Sequence, residues 1–136
     1  MTVSAQGPCP CGRLDDRGRA LAFARCCGRL LADFEHMPAP DAEALMRSRY
    51  CAFVLEDADY LLATWHGTRR PSTVAFEPGA KWLGLEVRGH RVLDETHAQV
   101  EFIARSRIGG RAQRLHEHSR FVCEDGRWYY VDGELM

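Results

Sequence analysis

The chain has 136 residues, enough for one ordinary domain, and 46% of them are hydrophobic and 27% charged. This composition is typical of a globular protein and excludes bulk disorder. The formal net charge of −1 argues against a nucleic-acid-binding protein that acts through its overall charge. The chain has no apolar run near the ~20 residues of a membrane helix, and its start lacks the basic and apolar parts of a secretory signal. We therefore expect a cytoplasmic protein without a membrane span.

Four of the six cysteines lie close together near the start of the chain: Cys9, Cys11, Cys26 and Cys27. In the reducing cytosol such a cluster indicates metal binding rather than a disulfide framework. The turn that Pro10 and Gly12 favour would let the first two thiolates face one ion, and the adjacent second pair would supply two more. Four thiolates fill a closed site of the structural type, and soft sulfur ligands favour zinc or an iron–sulfur cluster. We predict one structural zinc ion per chain.

Three alternatives to a zinc site stay open from the sequence. In the first the four cysteines are unrelated, and in the second Cys26 and Cys27 form a strained vicinal disulfide. The third is an iron–sulfur cluster, although tight pairs suit a mononuclear site better. The remaining cysteines, Cys51 and Cys123, are isolated in the sequence, and we expect both to be small buried apolar residues.

A proline-rich joint follows the cysteines. Each proline of Met37-Pro38-Ala39-Pro40 disfavours helix in the residue before it. We therefore predict a boundary between a cysteine module with its linker, residues 1–40, and a second part, residues 41–136.

Two helices are predicted directly after the joint. Asp41 is suited to be the N-cap of the first, and an apolar stripe with helical spacing follows, made of Ala42, Leu45, Met46, Tyr50, Phe53 and Val54. Asp57 is suited to cap the second helix. We expect the helices to end near His66-Gly67, where glycine permits a left-handed cap.

The second half of the chain has the period of β-strands. Trp82 to Val92 mixes apolar and charged residues, with Gly84 and Gly89 at expected bends or bulges. The alternation after this segment is regular: Ala98, Val100, Phe102 and Ala104 point to one face, and His97, Gln99, Glu101 and Arg105 point to the other, with Ile103 as the exception.

Two hairpin signals divide the strands. Gly109-Gly110 and Asp125-Gly126 favour the tight turns that join antiparallel strands. Helices first and a meander of antiparallel strands afterwards form an α+β pattern.

Several stretches of the chain resemble known families. Cys9-Pro10-Cys11-Gly12 and Cys26-Cys27-Gly28 are similar to the SEC-C zinc motif, which is named for the C-terminal tail of the SecA translocase. Five further stretches resemble the bacterial YchJ-like family: residues 44–53, 60–66, 82–86, 115–121 and 126–133. The resemblance implies a SEC-C zinc module before a domain like nuclear transport factor 2, in which a cone of helices packs on a strongly curved antiparallel sheet.

The cysteine stretches depart from the SEC-C motif in two places. Fourteen residues, Gly12 to Arg25, separate the pairs, and this longer spacer costs about 0.5 kcal/mol of loop-closure entropy. Arg13-Leu14 stands where the motif has Ser-Gly, and we expect this change to remove backbone N–H donors to thiolate sulfur.

Domains like nuclear transport factor 2 often hold a cavity between helices and sheet, and the fold alone does not decide its use. The candidate lining residues are Tyr50, Trp65, His66, Trp82, Glu101, Arg105, His116 and Trp128. Glu101 as a base with His116 as a polarising group would permit proton transfer. No nucleophile, base and orienting group can be identified together. We therefore favour an aromatic core with a Glu101–Arg105 network across strands, and we assign no catalytic residue.

The hairpin from Arg105 to Arg120 concentrates positive charge. It carries five arginines and two histidines against one acidic residue. Arg107, Arg111 and Arg114 lie at or beside its turn, where long side chains project freely, and these three are the candidate contacts to a partner. The alternative is a solvated face with ion-pair partners elsewhere in the fold.

From these features we expect a zinc-stabilised interaction module. SEC-C motifs serve as docking tails in other proteins, so the resemblance implies a ribosomal or protein-export partner. Direct nucleic-acid binding is expected only for ribosomal RNA, and the fold resemblance allows a homodimer through the sheet face. The alternative is a small-molecule binder or enzyme with an open polar cavity, which a cavity filled by Trp65, Trp82 and Trp128 would disfavour.

Overall fold

Helices precede strands in the structure, as predicted. The computed structural model describes residues 3–136, so Met1 and Thr2, which begin the predicted 1–40 segment, lie outside the described residues. Within the described range a 3₁₀ turn at Phe23–Arg25 is followed by α1 (Cys27–Ala32), α2 (Ala42–Leu55) and α3 (Ala58–Ala63), and then by β1 (Lys81–Val92), β2 (His97–Ile108), β3 (Arg111–Glu124) and β4 (Arg127–Leu135). These four strands form an antiparallel sheet in the order β1-β2-β3-β4. The helices pack on one face of this curved sheet, which confirms the α+β fold. In this part of the chain no helix is both long and apolar enough to cross a membrane.

Aspartate caps begin α2 and α3 at the predicted positions. The Asp41 carboxylate accepts a hydrogen bond from the Ala44 N–H at 2.8 Å, and the Asp57 carboxylate accepts one from the Tyr60 N–H at 3.0 Å. Each bond satisfies an N–H group that the helix itself leaves without a partner. The caps therefore set where the two helices start.

The predicted left-handed cap at His66-Gly67 is wrong. A left-handed residue instead ends α2, where Glu56 has φ 55° and ψ 47°, and α3 already ends at Ala63. The sheet directs the chain beyond α3, because the His66 N–H donates to the Tyr130 carbonyl at 2.8 Å. Pairing with β4 thus takes the place of a glycine cap.

Most of the surface of α2 is buried, not only one stripe. Every residue of the predicted stripe is buried except Phe53, which is half-buried. Ser48, Arg49 and Cys51 are buried as well. The reason is that α1 and the cysteine-rich loop cover one side of α2 while the sheet covers another. α2 therefore joins the N-terminal segment to the sheet.

Strand register decides which side chains share a face of the sheet. The residues of β2 that the alternation assigns to the core are buried against the helices: Ala98, Val100, Phe102 and Ala104. Glu101 and Ile103 lie between them on the opposite face, where they are paired with His118 and His116 of β3. Ile103 is fully buried even on that face.

Glycines introduce the predicted irregularities of the sheet. The β1–β2 register shifts at Gly84 and again at Gly89. Positive φ angles occur at both central residues of each hairpin turn, 58° and 79° at Gly109-Gly110 and 53° and 77° at Asp125-Gly126. Such turns match the right-handed twist of the strands that they join.

A buried arginine fills the space between α2 and the sheet. The guanidinium carbon of Arg49 lies 4.6 Å from the ring centroid of Tyr130 and 5.1 Å from that of Trp65. Its Nη1 donates to the Leu61 carbonyl at 2.8 Å and to Thr64 Oγ1 at 2.6 Å. Burial lowers the pKa of Arg49 to about 10, so the side chain stays a cation at neutral pH. Aromatic faces and oxygen acceptors stabilise this charge in the core.

Candidate metal centre

Two short segments bring the four cysteines together. Cys9 and Cys11 flank a tight turn, in which Gly12 has φ +77° and donates its N–H to the Cys9 carbonyl at 3.1 Å. The second pair lies where the 3₁₀ turn passes into α1. Backbone pairing holds the segments side by side, since the Cys9 N–H donates to the Leu21 carbonyl at 2.8 Å.

The four sulfur atoms have the spacing of a tetrahedral metal site. The Sγ atoms of Cys9, Cys11, Cys26 and Cys27 all lie within 4.8 Å of one another, and the four residues are buried. Two of these distances are 3.6 Å, between Cys11 and Cys26, and 4.0 Å, between Cys26 and Cys27. Zinc–sulfur bonds of about 2.3 Å in a tetrahedron place the sulfur atoms about 3.8 Å apart. The donor set therefore fits one ion with four thiolate ligands.

The vicinal-disulfide alternative does not agree with this geometry. The 4.0 Å between the Sγ atoms of Cys26 and Cys27 is about twice the length of a disulfide bond. All four cysteines are free thiols in the structure. Their sulfur atoms converge on one another, as unrelated buried cysteines would not.

The four thiols do not ionise equally. The pKa of Cys11 is lowered, chiefly because the Cys26 thiol donates a hydrogen bond to its sulfur. The pKa of Cys27 is raised, chiefly because its thiol donates to Cys11 and would lose that bond on ionisation. Shared protons therefore leave part of the set uncharged, whereas a divalent cation favours the thiolate form of all four.

Polar groups around the sulfur atoms hold the first cysteine turn in place. The Arg13 N–H donates to Cys11 Sγ at 3.4 Å, so the expectation that Arg13-Leu14 removes N–H donors to sulfur is wrong. The donor is the backbone N–H of Arg13, which the turn directs at the sulfur atom independently of the side chain at that position. Arg47 of α2 donates from Nη1 to the Cys11 carbonyl at 2.8 Å and from Nε to Glu43 at 2.9 Å. Through these bonds α2 supports the turn.

A fifth cysteine lies against the cluster. The Sγ atom of Cys51, on α2, is 3.6 Å from that of Cys9, and Cys51 is fully buried. It is buried as predicted, but it is not isolated. The two residues are far apart in the sequence and meet only because the loop packs on α2, so spacing alone could not reveal the contact. Cys123 is half-buried rather than buried.

The members of the predicted pocket that adjoin the helices lie at separate places. Tyr50 and Trp82 meet edge to face with ring centroids 5.7 Å apart, and Trp65 packs on a tyrosine of β4 at 5.2 Å. Trp128 lines a cavity of only about 10 Å³. His66 packs on the Tyr129 ring with centroids 5.9 Å apart, and its Nε2 lies 2.6 Å from a carboxylate oxygen of Glu124 in β3.

The other polar members of the predicted pocket lie on the opposite face of the sheet. Glu101 Oε2 is 2.7 Å from His116 Nε2. Arg105 donates to Glu86 of β1 at 3.3 Å, so the predicted Glu101–Arg105 network has other partners. The sheet itself therefore separates the carboxylate–histidine pair from the aromatic residues of the core.

The arginines of the hairpin fall into two groups. Arg107, Arg111 and Arg114 are exposed, and within residues 3–136 no carboxylate lies within 4.0 Å of their guanidinium groups. The other two arginines are paired: Arg105 as described, and Arg120 with two carboxylates of β4 at 2.6 and 3.1 Å. Arg105 lies directly opposite Arg114 in the β2–β3 register, so the prediction that Arg105 lies deeper in the hairpin than Arg114 is wrong. The arginines without a carboxylate partner lie in the half of the hairpin that contains the turn.

Comparison with known proteins identifies one family over nearly the whole chain. The family model described as "YchJ, middle NTF2-like domain" matches residues 41–133. A UPF0225 protein of Polaromonas sp. (strain JS666 / ATCC BAA-500) is 69% identical over 127 residues, which cover 93% of this chain and 91% of that protein. A UPF0225 protein of Bordetella parapertussis is 54% identical over 135 residues, which cover 97% and 96%.

Two solved structures are similar over nearly the same length. The solution structure of a SEC-C motif containing protein from Rhodopseudomonas palustris is 38% identical with a TM-score of 0.81, covering 96% of this chain and 99% of that one. The crystal structure of a SEC-C motif containing protein from Psychrobacter arcticus is 30% identical with a TM-score of 0.77, covering 97% and 84%. The chain therefore belongs to the YchJ-like UPF0225 family.

Proposed function

We propose that the protein binds one structural zinc ion and that this ion holds a docking module in shape. The observation that carries the proposal is the set of four buried thiols with sulfur atoms within 4.8 Å of one another. Cys9 and Cys11 would bind the ion from the loop, and Cys26 and Cys27 from the start of α1. Four thiolates leave no open position for a substrate, so the ion would link two segments without taking part in a reaction.

Metal analysis of protein purified without chelator tests the first half of this proposal. We expect one zinc ion per chain and no visible absorption from an iron–sulfur cluster. Cys123→Ser is the matched control, because it removes a half-buried thiol of β3 that is outside the sulfur set. A zinc content near zero with all four thiols freely reactive would contradict the proposal.

The proposed partner is an anionic surface in the cytoplasm, such as ribosomal RNA or an acidic protein face. The support for it is the exposed trio Arg107, Arg111 and Arg114, without carboxylate partners in the described residues. A hairpin tip can reach into a surface that a flat sheet cannot. Each phosphate that an arginine neutralises adds nearly one unit to the salt dependence of binding.

Binding to purified bacterial ribosomes at several salt concentrations tests the second half. We expect log affinity to fall against log salt with a slope of roughly −2 to −3. Changing the three tip arginines to glutamine should remove most of this slope. The control variant changes Arg17 and Arg91 to glutamine; both residues are exposed but lie outside the hairpin. If the tip variant binds as tightly as the parent at every salt concentration, the tip is not the contact. Sedimentation of the same samples would show whether the protein docks as a monomer or as the homodimer that the fold resemblance allows.

Small-molecule binding between the middle of α2 and β4 receives less support. Arg49 and the rings of Trp65 and Tyr130 fill that space. The carboxylate–histidine pair that proton transfer would use, Glu101 and His116, lies on the other face of the sheet.

A further inference from the structure

An aromatic cavity lies where the end of α2 meets the start of β1. Its volume is about 290 Å³, near the lower end of the roughly 300–1,000 Å³ typical of small-molecule sites. Three half-buried aromatic residues line it: Phe53, Phe76 and Trp82. None of the four clustered cysteines and none of the three tip arginines, all within the described chain, belongs to its lining. The cavity is therefore separate from the cysteine site. It adjoins the hairpin tip through Ile108, whose cross-strand partner is Arg111.

The three rings meet at angles and do not stack. Phe53 and Phe76 are edge to face, with centroids 6.1 Å apart and planes at 81°. Phe53 and Trp82 are 5.9 Å apart with planes at 49°. Aromatic faces carry partial negative charge and attract cations, tryptophan most strongly. Walls of this kind favour a positively charged group with an apolar surface over a neutral one of the same shape.

Two carboxylates also belong to the lining. Glu56 and Glu77 are both exposed, and within residues 3–136 neither has a basic group within 4.0 Å. The lining contains no lysine, arginine or histidine among those same residues. Glu56 occupies the left-handed end of α2, with φ 55°, a position that glycine adopts most readily. The chain thus has a carboxylate at the cavity where glycine would be easier to accommodate.

We propose that this cavity binds a small organic cation, namely an alkylated ammonium group. The rings would contact its methyl groups, and the two glutamates would supply the opposite charge. A compact metal cation keeps its water more strongly and gains less from aromatic walls. An anion would be repelled by both carboxylates. Charge complementarity therefore selects an alkylammonium ion over the other ligands that would fit this volume.

Choline and its neutral carbon isostere, 3,3-dimethylbutan-1-ol, form a matched pair of probes for this site. They share shape and differ in charge. We expect choline to bind saturably, with NMR shift changes centred on Phe53, Phe76 and Trp82. The isostere should bind at least about fivefold to tenfold more weakly, which is the range of a partly desolvated cation–π contact.

Variants separate the aromatic contribution from the charge contribution. Trp82→Leu should weaken choline binding about tenfold, but Trp82 also packs on Tyr50, so this variant needs a stability control. The double variant Glu56→Gln with Glu77→Gln avoids that difficulty, because both side chains are exposed. It should weaken choline binding several-fold and leave binding of the isostere unchanged. Glu95→Gln, an exposed change outside the lining, is the matched control and should alter neither.

Three results would overturn the proposal. The first is the absence of any saturable choline shift at this cavity in the folded protein. The second is equal binding of the two probes, and the third is equal choline binding by the parent and the double glutamine variant. Either of the last two would make the cavity an apolar slot that does not recognise charge. None of the three depends on zinc content or on ribosome binding, so the proposed function is tested separately.

Discussion

The two sides of α2 are held in different ways. On one side the cysteine-rich loop rests on the helix through sulfur contacts and an arginine, with Cys9 against Cys51 and Arg47 bound to the Cys11 carbonyl. On the other side the sheet packs through apolar residues and a caged arginine, Arg49. The first side contains thiols that can bind an ion, whereas the second buries apolar surface. We infer that metal stabilises the first side and the hydrophobic effect the second.

The composition of the N-terminal segment explains the difference. Between residues 3 and 40 the buried residues are the four clustered cysteines, Leu30 and Ala39. So few apolar side chains cannot support a core of their own, and small segments of this kind need a metal or a disulfide. The sheet and α2 contain most of the remaining core cluster. Changes on the two sides should therefore have different consequences.

The largest expected effect comes from changing Cys26 and Cys27 together to serine. We expect zinc content to fall from one per chain to zero and residues 3–40 to lose order, because zinc binding by such segments is worth about 10–16 kcal/mol. Residues 41–136 should keep a cooperative thermal transition, since their core does not depend on the ion. Metal analysis, amide hydrogen exchange and calorimetry measure the three outcomes. Loss of the cooperative transition would show that the predicted boundary after residue 40 is wrong.

The second effect concerns the opposite side of α2. Arg49→Ala removes two cation–π contacts and the bonds to Leu61 and Thr64, and it leaves a cavity. We expect a loss of about 3 kcal/mol in the free energy of unfolding, measured in urea. Arg49→Met keeps the apolar stem and should lose less. Zinc content should stay at one per chain in both variants. A fall in zinc content would show that the two sides of α2 are not independent.

Local features of this fold were predictable from the sequence. The caps at Asp41 and Asp57 and the turn at Gly109-Gly110 depend on neighbouring residues, and so does the tight turn that brings Cys9 near Cys11. Each involves residues only a few positions apart, so composition and spacing carry the signal.

Features that depend on tertiary packing were not predictable in the same way. The contact of Cys51 with Cys9 and the burial of Arg49 both arise when distant segments pack on α2. Glu56 adopts a left-handed conformation, although no glycine at that position predicts one. An arginine beside an apolar helical stripe looks like a solvent-exposed residue in the sequence. Arg49 is nevertheless buried, because the rings of Trp65 and Tyr130 pack against its guanidinium group.

The third prediction tests the link between the N-terminal segment and β4. Arg127 donates from Nη1 to the Phe34 carbonyl at 2.6 Å and from Nη2 to the Glu35 carbonyl at 2.9 Å, and it lies 4.1 Å above the Phe34 ring. Arg127→Ala should cost about 1–2 kcal/mol. Faster amide exchange should be confined to the segment around residues 33–37. Arg127→Lys, which keeps the charge but replaces the two donor nitrogens by one, should lie between parent and alanine variant. Uniformly faster exchange over the sheet would contradict a local link.

The smallest effect concerns Cys51, and it decides which sulfur atoms bind the ion. Cys51 Sγ contacts Cys9 Sγ, but the set whose members all lie within 4.8 Å of one another comprises the other four cysteines. We therefore expect Cys51→Ala to keep one metal ion per chain. Its free energy of unfolding should fall by only about 1 kcal/mol, because the change removes a buried sulfur atom that does not bind the metal. Cys9→Ala should bind metal far more weakly.

Cobalt-substituted protein provides the readout, since its visible absorption reports the four-sulfur tetrahedron and should be the same in parent and Cys51→Ala. If Cys51→Ala changes that absorption while Cys9→Ala preserves it, Cys51 is the fourth ligand in place of Cys9. In that case α2 itself would bind the metal, and the side of α2 that we assign to metal stabilisation would be part of the site rather than its support.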